Sequence, residues 1–345
     1  MRAFILCSAR AVAMGLALCL GLAATGCLFP DQSSSQAVGH YVRGQILADE
    51  GDLDAALAEL AEAIRQNPNL SVAHAAVGDI HRKRGSYDLA RACYETACQT
   101  NPYEFRPHYN LGVTYQTLAE SADSAKAKDY LQKAIAVYLR AITLKADDFD
   151  TSLNLSACYF QEGKYDLAEK YCKEAVRLNP NNAAAMSNLG IIYDSQNKLW
   201  EAIKAYKDSL ELDAHQPKLL LNLGSTYVRQ NRLKDALMVL EMATREAPDD
   251  STPWEQIGSV RYTLKEYDKS TEAYLKAMQV NPNSAFAYRG IGVVYMSQFI
   301  TDQTQMTLRD KALEAWNRSL ELDSNQQDLI RLVQKYTPPS TVPSL

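Results

Sequence analysis

The feature that most restricts this chain is a step of 34 residues that recurs along most of its length. Gly44, Gly78, Gly112, Ser156, Gly190, Gly224, Gly258 and Gly292 mark one ladder, each 34 after the last except for two longer steps. Ala56, Ala90, Ala134, Ala168, Ala202, Ala236, Ser270 and Ala312 form a second. Ala63, Ala97, Ala141, Ala175, Ser209, Ala243, Ala277 and Ser319 form a third. A fourth is bulky or apolar: Leu60, Tyr94, Tyr138, Cys172, Tyr206, Leu240, Tyr274 and Trp316. A chain with such self-similarity grows by stacking small units and builds no single central core. Length is then no guide to domain number.

The spacings are helical. Leu189, Gly190 and Tyr193 fall at i, i+1 and i+4, on one helix face. The small residue of the first helix (A) and that of the second (B) let the two approach closely. Gly51, Gly85, Gly163, Asn197 and Asn231 lie where helix A ends and a left-handed residue is wanted. Asp54, Asp88, Asp166 and Asp268 suit the start of helix B. Pro68, Pro102, Pro180, Pro248 and Pro282 stop it from running on.

These ladders resemble the tetratricopeptide repeat, and Trp254, Ile257, Gly258, Tyr274, Ala277 and Pro282 carry most of its pattern in one unit. The resemblance implies an all-α, right-handed α-solenoid of about eight hairpins: residues 37–70, 71–104, 105–148, 149–182, 183–216, 217–250, 251–284 and 285–326. Two units are longer at the A-to-B turn. The insert 119–128 is Ala-rich and charged and reads as longer helices with an exposed turn; 299–308 is Thr/Gln-rich and reads as a protruding loop. Either they are tolerated insertions or they add a contact ridge. Residues 327–336 carry Leu329, Leu332 and Val333 at helical spacing and read as a capping helix, and 337–345 as a disordered tail.

Ahead of the repeats, Arg2 and Arg10 precede an apolar run, Ala11 to Ala24, in the order of a secretory signal. The run is short for a membrane span. It ends in Leu22-Ala23-Ala24-Thr25-Gly26-Cys27, which resembles a bacterial lipoprotein cleavage box with Ala24 in place of the usual Leu. That resemblance makes 1–26 a signal peptide, Cys27 the lipidated residue and 27–36 a short coil tether. Two or more acyl chains on Cys27 anchor a protein stably. Leu28 after the Cys looks like an outer-membrane address, facing the periplasm. Ordinary signal cleavage after Ala23 is the competing reading.

Formal net charge is −5, and −7 once the two positive charges of Arg2 and Arg10 are removed. With no Lys/Arg block, nucleic acid is not an expected partner. His40, His74 and His108 repeat at 34, but adjacent helices stand about 8–10 Å apart and metal ligands about 2 Å from a shared ion. Packing is the expectation for them, and for His81. Cys93 and Cys98 point apart on one helix, and Cys158 and Cys172 read as small buried hydrophobes, with a bridge between those two as the alternative. No phosphate loop, nucleophile elbow or metalloprotease motif is present. The chain is expected to be no enzyme and to need no metal or cofactor.

The candidate functional surface is the helix-A face. The residue two before each repeat glycine is Val42, Ala76, Asn110, Asn154, Asn188, Asn222, Gln256 and Gly290. Primary amides donate and accept, so such a row suits a peptide backbone; it resembles the asparagine ladder of tetratricopeptide domains that bind extended chains. A solvated polar face is the plainer reading. Tyr109, Leu153, Lys218, Leu221, Glu255 and Arg289 flank the row. The family's carboxylate clamp is not met: Lys218 fits one place, but Leu153, Ala157, Ser187 and Ile191 fill others. Val38, Tyr41, Val42, Val72, Ala75 and Ala76 make the first two units more apolar there. In layout the chain resembles tetratricopeptide lipoproteins that pilot pilus secretins or gather cell-wall hydrolases. That implies an envelope scaffold with protein or peptide partners in its groove. A self-associating organiser, as a homodimer, is the alternative.

Overall fold

A computed structural model describes residues 32–338, and every regular element among them is a helix. The helices pair in hairpins. They are α1 (Gln32–Glu50) with α2 (Leu53–Gln66), α3 (Ser71–Lys83) with α4 (Tyr87–Thr100), and α5 (Phe105–Ser121) with α6 (Ser124–Leu144). Then come α7 (Phe149–Gln161) with α8 (Tyr165–Leu178), and α9 (Ala183–Ser195) followed by α10 (Leu199–Leu212). The last are α11 (Pro217–Arg229) with α12 (Leu233–Glu246), α13 (Thr252–Thr263) with α14 (Tyr267–Val280), α15 (Ala285–Thr301) with α16 (Met306–Leu322), and α17 (Gln327–Tyr336). They fall into two compact units that divide within α9, between Ile192 and Tyr193.

The ladders explain each hairpin. All sixteen residues of the two small-residue ladders are fully buried. Where serine replaces alanine its hydroxyl finds an acceptor: Ser270 Oγ donates to the Gly258 carbonyl at 2.7 Å and Ser319 Oγ to the Ala285 carbonyl at 2.8 Å. The glycines are needed for close approach. A Cβ on Gly78 would lie 2.8 Å from the Tyr94 ring, and one on Gly258 equally near Tyr274. Trp316, Tyr94, Tyr138 and Tyr206 are among the largest side chains wholly removed from water.

The turns follow the residue types. Gly51, Gly85, Gly163, Asn197 and Asn231 all have positive φ. Lys265 occupies the corresponding place with φ 62°, a conformation costing a non-glycine residue roughly 1–2 kcal/mol. Asp54, Asp88, Asp166 and Asp268 lie in the first turn of their B helices, where they favour the helix dipole, and not at the cap. In α2 the cap is Asp52, which accepts from the Ala55 amide at 3.1 Å. Asn67, Asn101 and Asn281 close their B helices, each accepting an amide two residues on (Asn69, Tyr103, Asn283) across the proline that follows.

Three expectations change. In place of a coil tether through residue 36, α1 begins at Gln32. In place of a loop over 299–308, α15 runs to Thr301 and α16 starts at Met306. The cause is that Phe299 and Leu313 find a place beside the buried cluster of Met296, Ala312, Trp316 and Leu329. The bridge between Cys158 and Cys172 is absent: both thiols are free and buried, and Cys172 Sγ donates to the Ala185 carbonyl at 3.5 Å. The insert 119–128 lengthens α5 and α6, leaving Ala122 and Asp123 between them. α17 covers the last hairpin through Leu329, Leu332, Val333 and Tyr336. Cys27 and the segment 1–31 lie outside the described residues, as does 339–345.

Candidate functional site: the helix-A amide row

In the first unit the amide row is occupied by the protein itself. Asn110 Nδ2 donates to Asp79 Oδ1 at 2.9 Å, and the same oxygen accepts the Tyr94 hydroxyl at 2.5 Å. Arg82 Nε donates to the Tyr94 oxygen at 3.3 Å, completing the cluster. One repeat on, Asn154 is half-buried and lowers the Tyr109 and Tyr138 pKa values against the larger effect of burial. Tyr138 donates to Gln116 Oε1 at 2.5 Å. Burial holds the Tyr94, Tyr109 and Tyr138 phenols well above the ordinary range, so they remain protonated donors. Asn188 is wholly buried, and so is Leu153 apart from 2 %. Neither lines an open groove, contrary to the sequence expectation. Register alone puts both on that face, but it does not fix how far the side chain is exposed. Tyr109 is half-buried and stacks on Phe105 with centroids 5.9 Å apart.

The second unit differs. Asn222 and Gln256 are half-buried, and among the described residues no side-chain hydrogen bond ties up either amide. Lys218 and Arg289 beside them are exposed and Leu221 is half-buried. Glu255 is committed: its Oε1 accepts from Ser251 Oγ at 3.0 Å and Ser284 Oγ at 2.6 Å. Helix α13 packs on both α11 and α15, so these residues share one run of A helices. Chemically the run offers two amides, two cations and a leucine, a surface for a polypeptide with carbonyl and acidic groups.

Sequence reasoning missed the groups that seal the first unit: Asp79, Arg82 and Gln116. A signal was present. The residue four after the repeat glycine is polar or hydroxylated (Arg82, Gln116, Asp194, Tyr262) in each unit whose helix B carries Tyr94, Tyr138, Tyr206 or Tyr274. It is apolar (Ala48, Phe160, Val228, Met296) where that place holds Leu60, Cys172, Leu240 or Trp316. A buried phenol needs a partner and a buried aliphatic group does not.

His40, His74 and His108 make local hydrogen bonds. His74 and His108 lie 2.9 and 3.2 Å from the Pro68 and Pro102 carbonyls, and His40 Nδ1 is 2.7 Å from Glu59 Oε2. Among the described residues no three His, Cys, Asp or Glu side chains gather to hold a metal. No described helix is long and apolar enough to cross a membrane.

A family model described as the cilia and flagella-associated protein 70 C-terminal domain matches residues 22–279. The chain is 38 % identical over 257 residues, 74 % of its length, to the BBSome complex member BBS4 of Xenopus tropicalis, 48 % of which is covered. It is 23 % identical over 254 residues, 71 % of its length, to Superkiller complex protein 3 of Mus musculus, 16 % of which is covered. The chain thus spans half or less of these relatives. Among solved structures, the APC/C hetero-tetramer Cut9-Hcn1 gives a TM-score of 0.51 at 16 % identity, over 82 % of this chain and 52 % of that one, a likeness of fold.

Proposed function

We propose a scaffold function from one premise: the chain belongs to the tetratricopeptide-repeat family described as the cilia and flagella-associated protein 70 C-terminal domain. Folds of stacked hairpins of this kind serve protein–protein interaction. The observation that carries the reading is the open amide pair Asn222 and Gln256, flanked by Lys218, Leu221 and Arg289 on the A helices of the second unit. In our reading an extended partner segment lies there, its backbone paired with the amides and its acidic groups near the cations. Two relatives are named as members of multiprotein complexes, which supports a role in assembly here.

The finer proposal is an adaptor tethered by lipid on Cys27 to the outer membrane of a two-membrane envelope, facing the periplasm. It rests on the cleavage-box resemblance around Cys27. A photo-crosslinking residue placed at Leu221 or Arg289 in cells should trap a defined protein, and one at the exposed Ala58 of α2 should not. Identical products from all positions would remove the site. For the anchor, Cys27→Ala should abolish palmitate labelling and free the protein from membranes; continued labelling would disprove it.

A second reading, self-association as an organiser, has one observation in its favour. Val38, Val42 and Ile46 form an exposed apolar stripe at four-residue steps on α1. Light scattering of the chain with Val42→Lys against the unaltered chain decides it: only a dimer that dissolves on substitution supports this reading.

A further inference from the structure

The free face of α1 is the face by which later units stack. In α3, Ala73, Ala76 and Ile80 pack in one buried cluster with Ala56, Leu60 and Ala63 of α2, the helix before it. At the same repeat places, 34 residues earlier, α1 has Gly39, Val42 and Ile46. No described helix precedes α1, and Val42 is 47 % and Ile46 52 % exposed. The seven counterparts of Ile46 in the later units, from Ile80 to Val294, are each 3 % exposed or less. The last hairpin has α17 over it; among the described residues the first has no such cover. With Val38, 46 % exposed, Val42 and Ile46 make an aliphatic stripe about 12 Å long.

The chain itself sets what lies near enough to cover this stripe. Because α1 starts at Gln32, only five peptide steps join it to Cys27, about 18 Å at full extension. Val38 lies about 9 Å further along the helix. A lipid on Cys27 therefore keeps the stripe beside the bilayer. Three aliphatic side chains attract a membrane weakly on their own, but a short link gives that attraction a high effective concentration. Charge does not oppose the contact. Helix α1 has no carboxylate before Asp49, and Glu59 of α2 is paired with Arg43 at 3.0 Å.

We propose that α1 lies along the bilayer surface with Val38, Val42 and Ile46 inserted, so that the membrane covers the first hairpin as α17 covers the last. This rests on the Cys27 anchor and goes further: the lipid attaches the chain and the stripe orients it. The test uses the full chain, purified with labelled palmitate, in vesicles of phosphatidylethanolamine and phosphatidylglycerol with or without bromine on the acyl chains. Bromine quenches a ring that enters the acyl layer. The emission added by Ile46→Trp or by Val38→Trp to that of Trp200, Trp254 and Trp316 should fall by about half or more in brominated vesicles. Ala58→Trp, exposed on α2, should not respond. Adding Val42→Lys to Ile46→Trp should restore the emission. Palmitate-bearing protein whose introduced rings are not quenched overturns this proposal and leaves the anchor standing. Protein without palmitate overturns the anchor, and this proposal with it. Unquenched rings together with a dimer in light scattering also overturn it, since a second copy would then cover the stripe.

Discussion

The two units use one repeat position in opposite ways. In the first, the Asn110 amide is bound to Asp79 and Asn188 is wholly covered. In the second, Asn222 and Gln256 stay open among the described residues. Helix B decides part of this difference. Tyr94 and Tyr138 bring hydroxyls into the helix-A layer and find Asp79 and Gln116 there, whereas Leu240, at the same spacing before Gln256, brings none; Asn222 follows Tyr206 at that spacing and still has no side-chain partner among the described residues. A polar row is therefore a joint between repeats in one place and a contact surface in another.

The contrast can be broken by substitution, and the largest effect should come from the deepest phenol. Tyr138→Phe leaves the Gln116 oxygen without a buried donor, and should cost about 1–3 kcal/mol in denaturant unfolding. Tyr274→Phe, whose pKa burial raises to about 12 and whose hydroxyl has no buried side-chain partner like Gln116, should cost less than about 1 kcal/mol. Equal costs would mean that the units are sealed alike. Next, Asn110→Ala, which removes the donor to Asp79, should destabilise by about 1–2 kcal/mol. Its loss should speed amide exchange in α3 and α5. Gln256→Ala should change stability by less than about 0.5 kcal/mol while reducing partner crosslinking.

Smaller still is Lys265→Asn, which relieves a left-handed residue and should stabilise the second unit by about 0.5–1 kcal/mol. A neutral or negative result would show that the Lys265 backbone is not strained. Last, burial lowers the His108 pKa. Its share of stability is then complete above the ordinary histidine value of about 6.5. That share is lost as pH falls from there through the lowered native value, since the unfolded chain binds the proton first. The melting temperature of the unaltered chain should drop on mild acidification more than that of His108→Gln.

Much of the architecture was legible because it depends on periodic residues. The buried ladders, the left-handed glycines and asparagines and the capping helix all follow from spacing and backbone preference. The exceptions have local causes. Residues 299–308 have a loop-like composition, yet Phe299 had an apolar neighbourhood to join. Lys265 adopts positive φ because the hairpin fixes that place whatever residue fills it. The amide row was only half readable. Spacing assigns a residue to a helix face, but whether the face is open depends on hydroxyls and carboxylates from neighbouring helices, such as Asp79 and Gln116.

The lengthened hairpins α5–α6 and α15–α16 have a practical meaning. α5, α15 and α16 each grew by about a turn and α6 by about two, and growth at the tip left the stacked ladders in phase. The short tip connections, 122–123 in one unit and 302–305 in the other, are therefore natural grafting points. A fluorophore-bearing or epitope-bearing loop spliced there would ride on a stiff stem, beyond the stacked ladders, and report on assembly without perturbing the repeats.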